Sequence, residues 1–187
     1  YLKATVTRAR DLITAGVTLH SPAALRRVLD LPSDLDELTA AERRAVQRFL
    51  SWAKAHDAHA GYVASHRRAW WAVQLRDPAP ILCTYMARSA PTFVRNAADA
   101  RHLNIAHGLY PREILTEAQL KAILGYLRTA ITTDGGRIYA GGLVKFEPRE
   151  LERLRIPALD KIHEYADSLD KRSTASRRNR GERSIPR

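Results

Sequence analysis

Apolar residues recur at helical spacing in several windows of the chain. Thr39-Ala40-Ala41-Glu42 forms a capping box, and Val46, Phe49, Leu50 and Ala53 follow on one stripe, which predicts a helix to about Ala55. Thr116-Glu117-Ala118-Gln119 repeats the device ahead of Leu120, Ile123, Leu124, Leu127 and Ile131. Shorter signals predict a turn of helix from Ser21-Pro22 to about Leu29, a helix opened by Pro148 and pinned by Leu151 and Leu154, and a final helix marked by Leu159, Ile162, Ala166 and Leu169. Between these windows lie brief apolar or alternating runs, Ala69 to Leu75, Ile81 to Tyr85, Thr92 to Val94 and Asn104 to Ala106, bounded by Pro, Asn and Arg. Runs of that length read as short strands joined by long loops. The pattern predicts an α+β domain: a small, mainly antiparallel sheet with flanking helices. No internal repeat is visible.

Composition narrows the class. The 187 residues, 45% of them hydrophobic, suffice for one domain with a core. No apolar run approaches the roughly 18–20 residues of a membrane helix, so no membrane partner is expected. The lone Cys83 lies inside an apolar run and is expected in the core of a protein from a reducing cytoplasm. The net charge of +11 is unevenly spread. Residues 171–187 hold seven basic side chains and one acidic, leaving 24 basic against 19 acidic in residues 1–170. We therefore divide the chain into a domain, 1–170, and a flexible Arg-rich tail, 171–187, whose composition predicts disorder. Such a tail either adds salt-sensitive attraction to phosphates or is a solvated terminus.

Several chemistries are excluded by missing residues. There is no carboxylate-x-Lys pair of the common nuclease kind, no clustered Cys and His for zinc, and no HExxH, P-loop or GxSxG. Enzymatic activity is not expected from this chain alone. The richest stretch is instead Gly136 to Pro157, where Gly141-Gly142 allows a tight loop carrying Arg137, Tyr139, Lys145 and Phe146 ahead of the helix at Pro148.

That stretch resembles the closing part of the target-recognition region in TaqI-type N6-adenine DNA methyltransferases of bacterial restriction-modification systems. Upstream, Trp70-Trp71-Ala72-Val73, Pro80 to Arg88, Pro91 to Asn96 and Asn104 to Pro111 follow that family's order, and Thr5 to Leu12 is similar to its opening, so the resemblance spans most of residues 5–157. The family's catalytic half is missing. None of the nine prolines is followed by another, so there is no Pro-Pro-aromatic motif for a flipped adenine, and no glycine-rich first turn stands ready for S-adenosylmethionine. The chain opens at Tyr1 and its only methionine is Met86, which is expected of a piece of a longer protein. The resemblance implies a C-terminal recognition domain that binds double-stranded DNA in the major groove. A catalytic methyltransferase domain of the parent would hold S-adenosylmethionine and flip the base. The alternatives are a stand-alone specificity subunit, a general nucleic-acid-binding protein or a protein-docking scaffold.

Sequence readout needs Arg or Asn at base edges and cations on phosphates. Arg88, Arg95 and Asn96 stand at the ends of predicted strands and are candidates, with an Asn-capped turn as the alternative for the last. Arg67 and Arg68 precede Trp70-Trp71 and either grip phosphates or face solvent. Trp70 or Trp71 could stack on a base, but at least one is expected in the core. Asn104 either reads a base or satisfies loop backbone, and His107 is either a contact or a hydrogen-bonded structural histidine. Arg137, Tyr139 and Lys145 ride on the glycine loop, and Lys145 is the expected phosphate contact.

Overall fold

The computed structural model describes residues 1–87, 90–132, 136–139 and 142–162, with the side chains of Ala87 and Tyr139 left aside. The predicted end of the final helix and the tail lie outside these residues, as does Arg88; the helical turn at 159–162 lies within them. The elements in chain order are β1 (Leu2–Val6), α1 (Ala9–Ala15), β2 (Thr18–Leu19), β3 (Arg26–Leu29), a 3-10 turn (Leu35–Glu37), α2 (Ala40–Ala55) and α3 (Tyr62–Ser65). They continue with β4 (Ile81–Thr84), β5 (Met86–Ala87), β6 (Phe93–Asn96), β7 (Arg101–His102), β8 (Ala106–Leu109), α4 (Glu117–Ala130), β9 (Arg137–Tyr139), β10 (Leu143–Lys145) and α5 (Pro148–Glu152).

The α+β expectation holds, with sheets that are mostly antiparallel, but the strands divide among three small sheets: β3-β1-β7, β5-β10-β9 and β2-β6-β4-β8. The last of these is the framework. Its central strand β4 is buried at every position because both faces are covered. On one face Ile81, Cys83 and Phe93 pack against Leu120, Ile123, Leu124 and Leu127 of α4. On the other, Leu82 and Val94 pack with Val6, Leu12, Leu19 and Ala106. Alternation along β4 thus feeds two cores at once, which is why a run with no polar interruption forms a strand here.

Both long helices start where their capping boxes stand. Thr39 Oγ1 accepts from the Glu42 amide at 3.3 Å while the Thr39 amide donates to Glu42 Oε2 at 3.0 Å. Thr116 and Gln119 do the same at 3.2 and 2.8 Å. Arg128, near the end of α4, donates to the Phe93 and Gly16 carbonyls at 2.6 and 3.0 Å and so ties helix, sheet and the α1–β2 turn together.

Three local expectations change. Residues Arg26–Leu29 form a strand and not a turn of helix, because β1 pairs with them antiparallel, Leu2 opposite Leu29 and Thr5 opposite Arg26. Ala69 to Leu75 is not a strand: the Ala72 amide closes a turn on Ala69, and Gln74 takes a left-handed φ of 56°. The Trp71 indole is spent on the Pro32 carbonyl at 3.0 Å. The strand expected at Asn104 to Ala106 begins at Ala106, leaving Asn104 exposed in the preceding turn.

Candidate nucleic-acid interface

The framework strand β4 leads directly through Tyr85 into β5, where the chain changes sheets. The Tyr85 amide donates to the Ile105 carbonyl at 3.3 Å, and its carbonyl accepts from the Phe146 amide at 3.0 Å. One residue therefore joins the β4–β8 ladder to the β5-β10-β9 sheet. The expected glycine loop is a β-hairpin: Val144 pairs with Ala87 on one side and with Ile138 on the other. Phe146, 1% exposed, anchors its base. Gly136 lies flat against that anchor, since a Cβ there would stand 2.9 Å from Phe146 Cε2 and closer still to Val144.

Charged and aromatic side chains converge at this junction. Lys145 lies across from Arg137 in the β9–β10 register, so the two project from the same face. Each meets a carboxylate from the segment that follows: Lys145 Nζ is 2.7 Å from Glu147 Oε1, and Arg137 Nε is 2.9 Å from Glu150 Oε1. Lys145 also sits 5.0 Å from the centroid of the Tyr85 ring, a cation–π distance. The hydrogen bond and charge of Lys145 hold the Glu147 carboxyl below its ordinary range. Pro148 is the first residue of α5, as its fixed φ predicts, and the Glu147 amide is capped by Glu150 Oε2 at 3.1 Å.

His107 closes the cluster from β8. Its ring stands edge-on to Tyr85 at 5.0 Å, and its Nε2 lies 2.8 Å from the Phe146 carbonyl. A carbonyl only accepts, so Nε2 carries the proton and Nδ1 is left as an acceptor in the neutral ring. Burial pushes the His107 pKa down, against the bond to Phe146, which favours the charged form. In the turn before β8, Asn104 is exposed, and its side chain makes no hydrogen bond among the described residues. Lys145 and His107 thus meet at Tyr85, with Arg137 opposite Lys145 and Asn104 one residue before Ile105, whose carbonyl holds the Tyr85 amide. Tyr139 contributes the β9 backbone there, opposite Leu143.

The other candidates lie elsewhere. Arg95 pairs with Ile81, at the start of β4, roughly 13 Å of strand away from Tyr85. Its guanidinium donates to Glu117 at 3.0 and 2.9 Å and to the carbonyls of Pro80 and Asn96 at 3.0 and 2.8 Å, which fixes the sheet to the start of α4. Asn96 is 1% exposed. Its amide nitrogen donates to the Ala79 and Ala100 carbonyls, each at 2.9 Å, and its oxygen accepts from the Ala100 amide at 3.0 Å. Every strong group of Asn96 is therefore used to hold the 96–100 turn. Arg67 is half-buried and Arg68 exposed in the turn after α3, and neither side chain has an ion-pair partner among the described residues.

Sequence patterns missed Tyr85, Glu147 and Glu150 as parts of the cluster. Nothing local marks Tyr85 or Glu150, because Tyr85 meets His107 of β8 and Lys145 of β10 and Glu150 meets Arg137 of β9, whereas Glu147 pairs with Lys145 only two positions upstream. Among the described residues, no three His, Cys, Asp or Glu side chains are placed to hold a metal ion. Cys83 is fully buried, and desolvation pushes its thiol far up, so it is no nucleophile. No described helix is long and apolar enough to cross a membrane.

Residues 21–185 match the sequence family described as the C-terminal domain of the type II methyltransferase M.Eco57I. The chain is 60% identical over 158 residues to the type II methyltransferase M.XamI of Xanthomonas campestris pv. amaranthicola, a match covering 84% of this chain and 30% of that protein. It is 25% identical over 169 residues to the type II methyltransferase M.AccI of Acinetobacter calcoaceticus, covering 86% and 31% respectively. No solved structure gives a significant match.

Proposed function

The chain belongs to this family of C-terminal domains of type II methyltransferases, and from that we propose that it is the DNA target-recognition domain of an adenine-N6-specific enzyme of a restriction-modification system. The chain spans about a third of the curated relatives it matches. The remaining portion of such a protein would hold S-adenosylmethionine and perform the transfer. The residues here do not fit that cofactor: the described glycines with positive φ, Gly16 and Gly142, follow a helix and sit in a hairpin, and neither opens a helix after a strand.

The observation that carries the reading is the convergence at Tyr85. Two cations on paired strands give adjacent positive charges on a hairpin face, the shape and charge that suit phosphates flanking a groove. The exposed Asn104 amide, one residue before the Ile105 that bonds Tyr85, has the donor and acceptor needed for an adenine edge. The carboxylates of Glu147 and Glu150 fix the direction of the cations and are exchanged for phosphate when DNA arrives. Arg67 and Arg68 add charge without sequence content, and Tyr139 and Arg88, the latter outside the described residues, are further contacts on this reading. Arg95 and Asn96 act as framework. On this reading the protein works in the cytoplasm on double-stranded DNA.

The test is methyl transfer by the full-length protein from labelled S-adenosylmethionine to a mixed set of duplexes, with the modified base identified by mass spectrometry. N6-methyladenine within one short sequence is expected. Label on cytosine, or no preference among duplexes, would defeat the proposal.

A further inference from the structure

Helix α2 carries two apolar stripes, and only one of them is packed against other described residues. Val46, Leu50 and Ala53 face the protein, Leu50 and Ala53 being buried. On the far side, Ala41, Ala45, Phe49 and Trp52 follow at helical spacing, and all are exposed, Phe49 by 43% and Trp52 by 59%. The exposed rings are ordered among themselves. Phe49 and Trp52 have centroids 6.0 Å apart, Trp52 stacks at 4.4 Å on His56, and His56 Nδ1 lies 2.8 Å from the Trp52 carbonyl. An ordered aromatic ridge on water, with small residues one turn away, has the form of a binding core awaiting a partner.

We infer that this ridge is the seat of the additional chain that the methyltransferase relatives carry beyond the matched region. Relatives of this length have some two-thirds of their chain outside the match, with shares of 30% and 31% inside it, so a large intramolecular partner exists for them. Ala41 and Ala45 permit close approach of another backbone, which favours a protein surface over a nucleic acid. Arg44 and Arg48 border the ridge on one side, so the occupant presents an acidic margin there. The inference rests on the reading of this chain as one part of a longer methyltransferase. It adds the face through which that part is held.

The experiment uses the full-length protein with Trp52 replaced by the photoreactive residue p-benzoylphenylalanine, irradiated without DNA, and cross-linked peptides identified by mass spectrometry. Cross-links from position 52 to the portion outside residues 1–187 of the same molecule are expected. A mixture of heavy- and light-isotope protein separates these from cross-links between two copies. Cross-links only between copies, or none while the protein remains folded by circular dichroism, would overturn the assignment. So would cross-links only to DNA when a duplex is added. In parallel, Trp52→Glu should separate the melting of the two portions into resolved calorimetric transitions, and a single unchanged transition counts against the interface. Methyl transfer by the unsubstituted protein is scored separately, so loss of the functional reading and loss of this interface give different results.

Discussion

Lys145 stands directly across from Arg137 between β10 and β9, and the two are restrained by Glu147 and Glu150. Two like charges facing each other across a ladder repel, and the carboxylates offset that repulsion. The arrangement stores positive charge in a fixed direction while keeping the free surface close to neutral.

Replacing either cation should therefore weaken duplex binding and flatten its salt dependence. Arg137→Ala and Lys145→Ala are each expected to lower the slope of log K against log salt by about one. Glu147→Gln and Glu150→Gln should do the reverse, raising affinity at low salt for any sequence. Fluorescence anisotropy across a salt series reads both effects, and slopes that stay constant in all four variants would remove the hairpin from the interface.

Removal of residues 171–187 separates charge from reading. A recognition domain should keep its preferred sequence after the truncation and lose only general, salt-sensitive affinity. If the preference disappears with the tail, the tail-driven alternative is correct.

Asn96 is predicted to matter for stability and not for base contact. Asn96→Ala strands the Ala100 amide and two carbonyls in the interior, a loss of about 2–3 kcal/mol at the usual cost of unsatisfied buried groups. Urea unfolding measures it. A variant of native stability but altered sequence preference would place Asn96 on the DNA instead.

Gly136→Ala brings a methyl group against Phe146 and Val144. The hairpin must shift, at about 1–3 kcal/mol for an overpacked site. The expected signature is reduced duplex affinity together with a lower melting temperature. Wild-type values on both counts would show that the close packing is not needed.

Acid stability should fall in two steps. The neutral His107 ring is favoured in the fold and its pKa is lowered, so its contribution is complete above its ordinary 6.5 and is lost as pH falls through the folded value. Asp11 acts at lower pH. Burial of its carboxyl works against ionisation, but the Arg8 guanidinium at 2.7 Å and the amides of Thr7 and Arg8, each at 3.1 Å, outweigh it and depress the pKa. Its stabilisation is present above 3.8 and is lost as pH drops through the depressed value. Urea midpoints from pH 8 to 3 should show both steps, and Asp11→Asn should shrink the second without abolishing it, because the carboxyls of Glu42, Glu117 and Glu147 are also held low and share that step.

The parts of the fold that were legible in the sequence are those whose causes are local. Thr39 with Glu42 and Thr116 with Gln119 announce α2 and α4 because each box is complete within four positions. The buried strand at Ile81 and the helix opened by Pro148 are legible for similar reasons. Arg26–Leu29 was not, because its strand state depends on pairing with Leu2–Thr5 across the chain. Trp70-Trp71 has strand composition, yet contacts with Pro32 and the left-handed Gln74 set its form. In the Tyr85 cluster, Lys145 and His107 stand out by residue type, whereas Tyr85 reads as one more strand residue. Its role comes from bonding on one side to Ile105 and on the other to Phe146, and no spacing rule encodes that.

The single-residue passage at Tyr85 carries a consequence for how such a protein diversifies. Everything before it in β4 is locked between two packed layers and tolerates little change. The hairpin beyond it leans on that block mainly through Val144 and Phe146. Exposed positions such as Ile138 can therefore drift without endangering the fold. New preferences for DNA could be sampled by altering a few surface letters, while the scaffold is inherited intact.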